Sequence, residues 1–283
     1  MSGKGNRLRV TVLGCGSSGG VPRPGGPDGA GVWGACDPNE PKNRRTRCSI
    51  LVRRAHPERG FRPDAATTVL VDTSPDMRAQ LLAARCARID AVLYTHDHAD
   101  QTNGVDDLRI FALAMGRRIP VYIDAETAGA LTRRFDYCFT QKPGSHYRPI
   151  LERIDMPAPG ADFAVEGPGG LVPVRSFLQF HGGVNSLGFR FGDVAYSSDV
   201  IGLPEKSFEA LKGVKVWIVD ALQMKPHVTH AHLDLALEWI ARLKPERAIL
   251  TNLHVHMDYQ TLVRDLPAGV EPAYDGMTID APL

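Results

Sequence analysis

The sequence lacks the features of membrane, disulfide-rich and nucleic-acid-binding proteins. No apolar run approaches the ~20 residues that a membrane-spanning helix needs. The five cysteines are an odd number without CxxC spacing, so neither a disulfide framework nor a cysteine zinc site is indicated. The formal net charge of +1 gives no general attraction to nucleic acid or membranes. No apolar leader precedes the first strand pattern, so we expect a cytoplasmic protein.

What the sequence does contain is an alternation of strand and helix patterns. Short β-branched apolar runs predict strands at 8–14, 68–73, 90–95, 194–199, 214–221 and 247–252. Helical patterns lie between them, at 74–85, 103–115, 125–135, 204–212 and 233–244. Stretches rich in Pro and Gly, 20–46 and 143–170, predict long loops. With 43% hydrophobic residues, we expect residues 1–283 to form a single α/β domain.

A glycine motif follows the first predicted strand. Gly14, Gly16 and Gly19 match the spacing of a dinucleotide-binding fingerprint. The following segment, VPRPGGPDG, has too many prolines and glycines to open the helix that this fingerprint requires. We interpret the motif either as a tight loop that brings backbone amides close to a ligand or as a plain turn.

The segment YTHDHADQ carries a cluster of candidate metal ligands at the end of a predicted strand. His96 and His98 are two residues apart, so on extended chain they project the same way and can share one ion. Asp100, two residues further on, can reach a neighbouring ion. A single histidine is more often an ordinary polar residue, but HxHxD at a strand end favours metal binding.

Further candidate ligands follow other predicted strands. His181, Asp199 and His254 lie near strand ends, and the carboxyl ends of strands in an α/β sheet form a common crevice. His256 is the alternative to His254. Two more strand-end carboxylates, those of Asp72 and Asp220, are better interpreted as acceptors that orient ligand imidazoles.

These motifs resemble those of the metallo-β-lactamase fold hydrolases, in particular the cyclic phosphate phosphodiesterases associated with carbon-phosphorus lyase. The similarity spans most of the chain and includes the segments RRTRCS, LVDTSPD, THDHADQ, AYSSDVIGLPEKSFEAL, HAHLDLALEWI and YDGM. It implies a four-layer αββα sandwich with two divalent metal ions, Zn or Mn. By position, His96, His98 and His181 hold the first ion, Asp199 bridges, and Asp100, residue 101 and a late histidine hold the second.

Two positions depart from the family pattern. Gln101 stands where the family has a histidine, and Asn252 stands where relatives place the late histidine, for which His254 is our substitute. A glutamine offers a metal only a neutral oxygen, so we expect the second ion to be held more weakly and to favour Mn²⁺. The cysteine-rich zinc loop of the phosphodiesterases is reduced to Cys36, so we expect that structural site to be lost.

The resemblance implies hydrolysis of a small or cyclic phosphodiester, including nucleotide-like ones, by hydroxide that the metal ions generate from water. His230 matches the histidine that protonates the leaving alkoxide, and His232 is its rival. Arg109 matches an arginine that steers phosphate, although an ion pair with Asp106 is the alternative. Tyr137 is a candidate to stack on a nucleobase.

Two other functions remain open from the sequence. One is an endonuclease acting on RNA 3′ ends, against which stands the lack of a long basic insertion. The other is a noncatalytic metal- or nucleotide-binding protein, which the changes at Gln101 and Asn252 favour. We expect a small-molecule substrate, no membrane or nucleic-acid partner, and leave a homodimer open.

Overall fold

Two mixed β-sheets form the centre of the structure, a computed structural model that describes residues 7–283. The strands are β1 (Arg7–Gly14), β2 (Ser49–Arg54), β3 (Thr67–Val71), β4 (Ala91–Leu93), β5 (Ile119–Ile123), β6 (Leu151–Asp155), β7 (Asp162–Val165), β8 (Val172–His181), β9 (Val184–Phe191), β10 (Val194–Ser197), β11 (Val216–Asp220), β12 (Arg247–Thr251), β13 (Val270–Pro272) and β14 (Thr278–Pro282). The first sheet has the order β14-β1-β2-β3-β4-β5-β6, and the second has the order β13-β12-β11-β10-β9-β8-β7.

Each sheet combines parallel and antiparallel pairs. In the first sheet β3 to β6 are parallel neighbours, and in the second sheet β10 to β13 are parallel neighbours. Hairpins and meanders complete the sheets with antiparallel pairs, such as β8 with β9. The central parallel strands are buried on both faces, which requires mainly apolar side chains, as in AVL of β4 and VWIV of β11.

Helices cover the outer face of both sheets. They are α1 (Met77–Ala83), α2 (Ala99–Thr102), α3 (Arg109–Met115), α4 (Ala125–Arg134), α5 (Asp136–Phe139), α6 (Glu205–Leu211), α7 (Leu233–Leu243) and α8 (Tyr259–Asp265). One buried cluster, including Val10, Phe189 and Ile249, fills the space between the sheets. Two further clusters join each sheet to its helices, for example through Leu131 and Trp217. The predicted four-layer αββα sandwich is confirmed.

The structure corrects two of the predicted elements. The stretch 143–170, predicted as a loop, contains β6 and β7, which lie at the edges of the two sheets. Edge strands expose one side to water, and β6 with the sequence LERID is mostly polar, so it lacked the apolar pattern of a strand. The predicted helix 103–115 begins with a 3-10 turn, Val105–Leu108, before α3. Gly104 lies so close to the Ser74 carbonyl that a β-carbon there would be 2.1 Å from its oxygen.

The carboxyl ends of the parallel strands bring polar residues to one edge of the sandwich. Asp72, Asp199 and Asn252 lie within two residues of such strand ends, and all three have left-handed backbones, with φ values of 63°, 55° and 62°. A left-handed backbone is unfavourable for residues other than glycine, and such strain concentrates at functional sites. The backbone geometry therefore marks this edge before any side chain is considered.

None of the helices that the structure describes has the length and apolar character needed to cross a membrane.

Candidate metal centre

Three histidines form a compact cluster at this edge. His96 and His98 follow β4, and His181 ends β8. One ligand nitrogen from each lies within 4.8 Å of the others, and His98 Nδ1 is 3.3 Å from His181 Nε2. Two imidazole nitrogens bound at ~2.0–2.1 Å to one tetrahedral Zn²⁺ would lie ~3.3 Å apart. The spacing of the cluster therefore fits a shared divalent ion.

Hydrogen bonds fix which nitrogen of each buried imidazole is available to a metal. Asp72 accepts from the Thr95 amide at 2.8 Å and from its hydroxyl at 2.9 Å, and the same hydroxyl lies 2.9 Å from His96 Nδ1. Because the hydroxyl donates to Asp72, it accepts from His96 Nδ1, which leaves His96 Nε2 unprotonated. His96 Nε2 is buried and has no partner among residues 7–283. Such an orphaned buried acceptor fits a metal ligand.

His181 is oriented in the same manner by the backbone. Its Nδ1 lies 2.7 Å from the Thr229 carbonyl oxygen, which can only accept, so Nδ1 carries the proton and Nε2 faces His98. Gly182 has φ 64°, and a β-carbon there would lie 2.4 Å from the Thr229 methyl group. Glycine at this position thus permits the close approach that orients His181.

Asp199 lies beside the cluster and is paired with Gln101. Its Oδ1 is 4.0 Å from His181 Nε2, and its Oδ2 accepts a hydrogen bond of 3.2 Å from Gln101 Nε2. The other end of the same amide, Gln101 Oε1, is buried and lacks a partner among the described residues. Gln101 therefore occupies one oxygen of the Asp199 carboxylate through its amide nitrogen and leaves its own amide oxygen available.

A second group of side chains holds His230 against the cluster. His230 Nδ1 lies 2.8 Å from Asp220 Oδ2, and the rings of His230 and His181 are 4.6 Å apart between centroids. Asp220 Oδ2 also accepts from the Val200 amide, and Asn252 Nδ2 lies 3.1 Å from His230 Nδ1. Since Asp220 accepts the Nδ1 proton, Nε2 is the nitrogen of His230 that is left for the cleft.

The pKa values follow from burial and from these charges. Burial lowers the pKa of His96 to about 4. Burial also disfavours charge on His230, but the carboxylates of Asp220, Asp199 and Asp100 together outweigh it and raise the pKa of His230 to about 9. Although burial alone would raise the pKa of Asp199, the surrounding imidazoles His96, His230 and His181 hold it below its usual value. Burial and the neighbouring Asp199 raise the pKa of Asp100.

A cleft of about 250 Å³ is lined by six of the predicted site residues. The predicted residues in its lining are His98, Asp100, His181, Asp199, His230 and His254, and the residues that sequence reasoning missed are Ser17, Ser18, Arg23, Leu222, Gln223, His227 and Thr229. The predicted ligands His96 and Gln101 are not among the described residues that line it. The missed residues, Ser17, Arg23 and His227 among them, lie in loops without periodicity. The only available indication was the interpretation of the glycine motif as a loop that approaches a ligand.

Other predicted residues take different positions. His254 lines the cleft but lies outside the three-histidine cluster, and burial together with the charge of Arg23 lowers its pKa to about 4. His232 occupies the N-cap of α7 and, among the described residues, does not line the cleft.

Arg109 forms the alternative ion pair, with 2.6 Å between its Nη2 and Asp106 Oδ1. Its guanidinium carbon is 5.9 Å from the centroid of the Tyr137 ring. Neither Arg109 nor Tyr137 is among the described residues that line the cleft. A direct substrate contact from either would require a ligand that extends beyond the cleft.

Comparison with known proteins identifies the family. A family profile described as a beta-lactamase superfamily domain matches residues 67–254. The chain belongs to this family and is a hydrolase of the metallo-β-lactamase fold, a fold that binds divalent metal. The resemblance derived from the motifs is thereby confirmed.

Solved structures among the relatives share the fold of this family. The crystal structure of a new diphosphatase from the PhnP family is 31% identical, covers 98% of both chains and superposes with a TM-score of 0.82. Zn²⁺-bound PqqB from Methylobacterium extorquens shares the fold at 19% identity, over 96% of this chain and all of that one, with a TM-score of 0.70. An octanoyltransferase of Porphyromonas gingivalis (strain ATCC BAA-308 / W83) is 30% identical over 275 residues, which are 95% of this chain. The chain spans about half, 51%, of that relative's length.

Gln101→His is expected to strengthen a second metal position. An imidazole binds zinc better than an amide oxygen, and the change also removes the amide that donates to Asp199. Calorimetric titration of metal-free protein should show a strong and a weak zinc site in the parent. The variant should bind zinc about tenfold or more tightly at the weak site and almost unchanged at the strong site.

Asn103→His is the matched control, because it adds a histidine two residues away at an exposed position. It should leave both affinities unchanged. Two equal zinc affinities in the parent protein, or an unaltered weak site in Gln101→His, would show that Gln101 does not control the second position.

Proposed function

We propose that this protein is a metal-dependent phosphodiesterase that cleaves a small or cyclic, nucleotide-like phosphodiester. The observation that carries the proposal is that two members of the three-histidine cluster, His98 and His181, line the same cleft as Asp199 and His230, whose imidazole is held by Asp220. The similarity to a diphosphatase of the PhnP family supports phosphate chemistry. In this proposal, the histidine cluster, Asp199, Asp220 and His230 all belong to one metallo-hydrolase domain.

The residues present fit a divalent ion, Zn or Mn. His96, His98 and His181 would hold it, with Asp199 beside them, and a second, weaker position would involve Asp100, Gln101 and His254. A divalent ion there polarises a phosphoryl oxygen and lowers the pKa of a water molecule towards neutrality. Asp72 acts through Thr95 to keep His96 Nε2 free for this purpose.

His230 is the proton donor in the proposed reaction. An alkoxide is a poor leaving group, so a positioned acid that protonates its oxygen accelerates departure. Asp220 holds His230 through Nδ1, and the free Nε2 is the atom that would deliver the proton. Asn252, where relatives place a histidine, contacts the Asp220–His230 pair and so takes part in positioning this donor.

The dimensions of the cleft favour a small substrate over RNA. About 250 Å³ is close to the lower end of the ~300–1,000 Å³ typical of small-molecule sites. The cleft is lined by one arginine, and the sequence has no long basic insertion to hold an RNA backbone. An RNA 3′ endonuclease is therefore the second enzyme hypothesis, and a noncatalytic binding protein is the third.

One assay series separates the three hypotheses. Metal-stripped protein is reloaded with Zn²⁺ or Mn²⁺ and given bis(p-nitrophenyl) phosphate, 2′,3′-cyclic AMP or a transfer RNA precursor. We expect metal-dependent hydrolysis of the two small diesters and none of the precursor. Cleavage of the precursor alone would favour the endonuclease, and metal binding without any hydrolysis would favour the noncatalytic protein.

A further inference from the structure

Arg23 is a charged side chain in the cleft without a partner in the part of the chain that the structure describes. It lines the same cleft as His98, His181 and Asp199. Its Nε is buried and lacks a hydrogen-bond acceptor, and none of the ion pairs among residues 7–283 includes it. A half-buried guanidinium without an acceptor carries a desolvation cost, which an anion in the cleft would offset.

The loop that carries Arg23 is fixed from several directions. Gly16 donates to Thr46 O, and Val21 exchanges backbone hydrogen bonds with Arg45, at 2.8 and 2.9 Å. The main chain of Arg23 is paired with Val32 in the same way, at 3.0 and 2.8 Å. The position of the Arg23 backbone is therefore set before a ligand arrives, which limits the ordering cost of binding.

Asp275 ties the beginning of this loop to the C-terminal part of the first sheet. Its carboxylate accepts from the Cys15 amide at 3.1 Å and from the Thr46 amide at 2.7 Å. The YDGM segment, which contains Asp275, thus supports the glycine motif rather than the metal cluster.

Glycine allows the Arg23 side chain to lie against the loop. A β-carbon at Gly19 would be 2.9 Å from Arg23 Nε and 3.1 Å from its Cγ. Ser17, in the same loop, also lines the cleft, and its buried hydroxyl lacks a partner among the described residues. This wall of the cleft therefore offers a guanidinium and a hydroxyl whose hydrogen-bonding capacity is not used within the protein.

We propose that Arg23, assisted by Ser17, binds a second phosphoryl group of the substrate, so that the preferred substrates are diphosphate diesters rather than simple phosphodiesters. The assignment rests on the proposed function, in which the metal cluster and His230 act on the first phosphoryl group. A guanidinium presents a planar pair of donors that matches two phosphate oxygens, and the metal cluster alone cannot distinguish one phosphoryl group from two. Arg23 is thus a specificity-determining residue.

Binding of two non-hydrolysable probes tests the proposal. Methylenediphosphonate carries two phosphoryl groups joined through carbon, and methylphosphonate carries one; neither has a P–O–C ester bond that could be hydrolysed. Calorimetry on the zinc-loaded full chain, with free Zn²⁺ held constant by a metal buffer, should show tighter binding of the first probe. Arg23→Met should weaken the first probe about 10- to 100-fold and the second less than about threefold, because a hydrogen bond to a charged group is lost only with the first.

Three further variants control for the charge of Arg23, for the position of its side chain and for the loss of an arginine elsewhere. Arg23→Lys keeps the charge but loses the paired donors, so it should recover part of the preference. Gly19→Ala should shift the Arg23 side chain and reduce the preference without changing the charge. Arg133→Met, on the exposed side of α4, removes an arginine elsewhere and should change neither affinity.

The outcomes separate this assignment from the proposed function. If the parent protein hydrolyses bis(p-nitrophenyl) phosphate but Arg23→Met weakens both probes equally or neither, the assignment of Arg23 is wrong and the proposed function stands. If the zinc-loaded parent hydrolyses no phosphodiester, the proposed function fails and the assignment fails with it.

Discussion

His96→Ala is expected to remove the tightly bound metal and to abolish hydrolysis. His96 Nε2 is the buried nitrogen without a partner in the described chain, and its proton sits on Nδ1 because Thr95 and Asp72 hold it there. Loss of one of three imidazoles opens the cluster, and a bound ion contributes several kcal/mol to hydrolysis. We therefore expect kcat to fall roughly a thousandfold or more. Elemental analysis and the rate on bis(p-nitrophenyl) phosphate measure both effects.

His146→Ala is the matched control for this prediction, because His146 lies exposed in a loop. It should keep full metal content and activity. Thermal unfolding of metal-free protein should be similar for both variants and the parent, which would exclude misfolding as the cause. Unchanged metal content in His96→Ala would remove the central claim about the three-histidine cluster.

The parts of the site that could be predicted from sequence are those attached to buried parallel strands. β4, β11 and β12 are covered on both faces, so their central residues are apolar and the polar residues at their ends are easily recognised. Asp220 and the HxHxD segment follow such strands. Sequence reasoning therefore located these residues correctly at one edge of the fold, although their roles remain predictions.

The side of the cleft that carries Arg23 and Ser17 could not be predicted in this way. The position of Arg23 depends on pairing between the glycine loop, Val32 and Arg45, and on Asp275 near the end of the chain. The hydrophobic periodicity within one segment gives no information about its contacts with segments that are distant in the sequence. An arginine directly after a glycine loop was visible in the sequence, but only the fold shows that it lacks an acceptor and lines the cleft.

Edge strands were missed for a related reason. β6 and β7 pair on one side only, and a short strand with a charged, exposed face has little apolar alternation to detect. The absence of a strand pattern in 143–170 therefore reflected position in the sheet rather than lack of structure. This error did not affect the site, because the described residues that line the cleft come from other segments.

His230→Ala is expected to retain metal and to lose activity selectively on esters with poor leaving groups. Asp220 holds His230 through Nδ1, and Asn252 donates to the same Asp220 carboxylate. The His230 ring packs edge-on against that of His181, so the side chain lies beside the metal cluster. Loss of a positioned general acid should lower kcat about 10²- to 10⁴-fold on an alkyl phosphodiester. A p-nitrophenolate needs little protonation to depart, so the effect on bis(p-nitrophenyl) phosphate should be much smaller.

His232→Ala is the matched control, because His232 lies two residues away at the N-cap of α7, outside the described lining of the cleft. It should leave the ratio of the two rates unchanged. Asp220→Asn should resemble His230→Ala in its selectivity, since it disturbs the partner that holds the imidazole but leaves the ring in place. If the selective loss instead follows His232, the acid is His232, and the Asp220–His230 pair has a structural role beside the metal cluster. Equal losses on both esters in His230→Ala would assign His230 to metal binding, in line with the distance of its ligand atom from Asp199 and His181, within 4.8 Å.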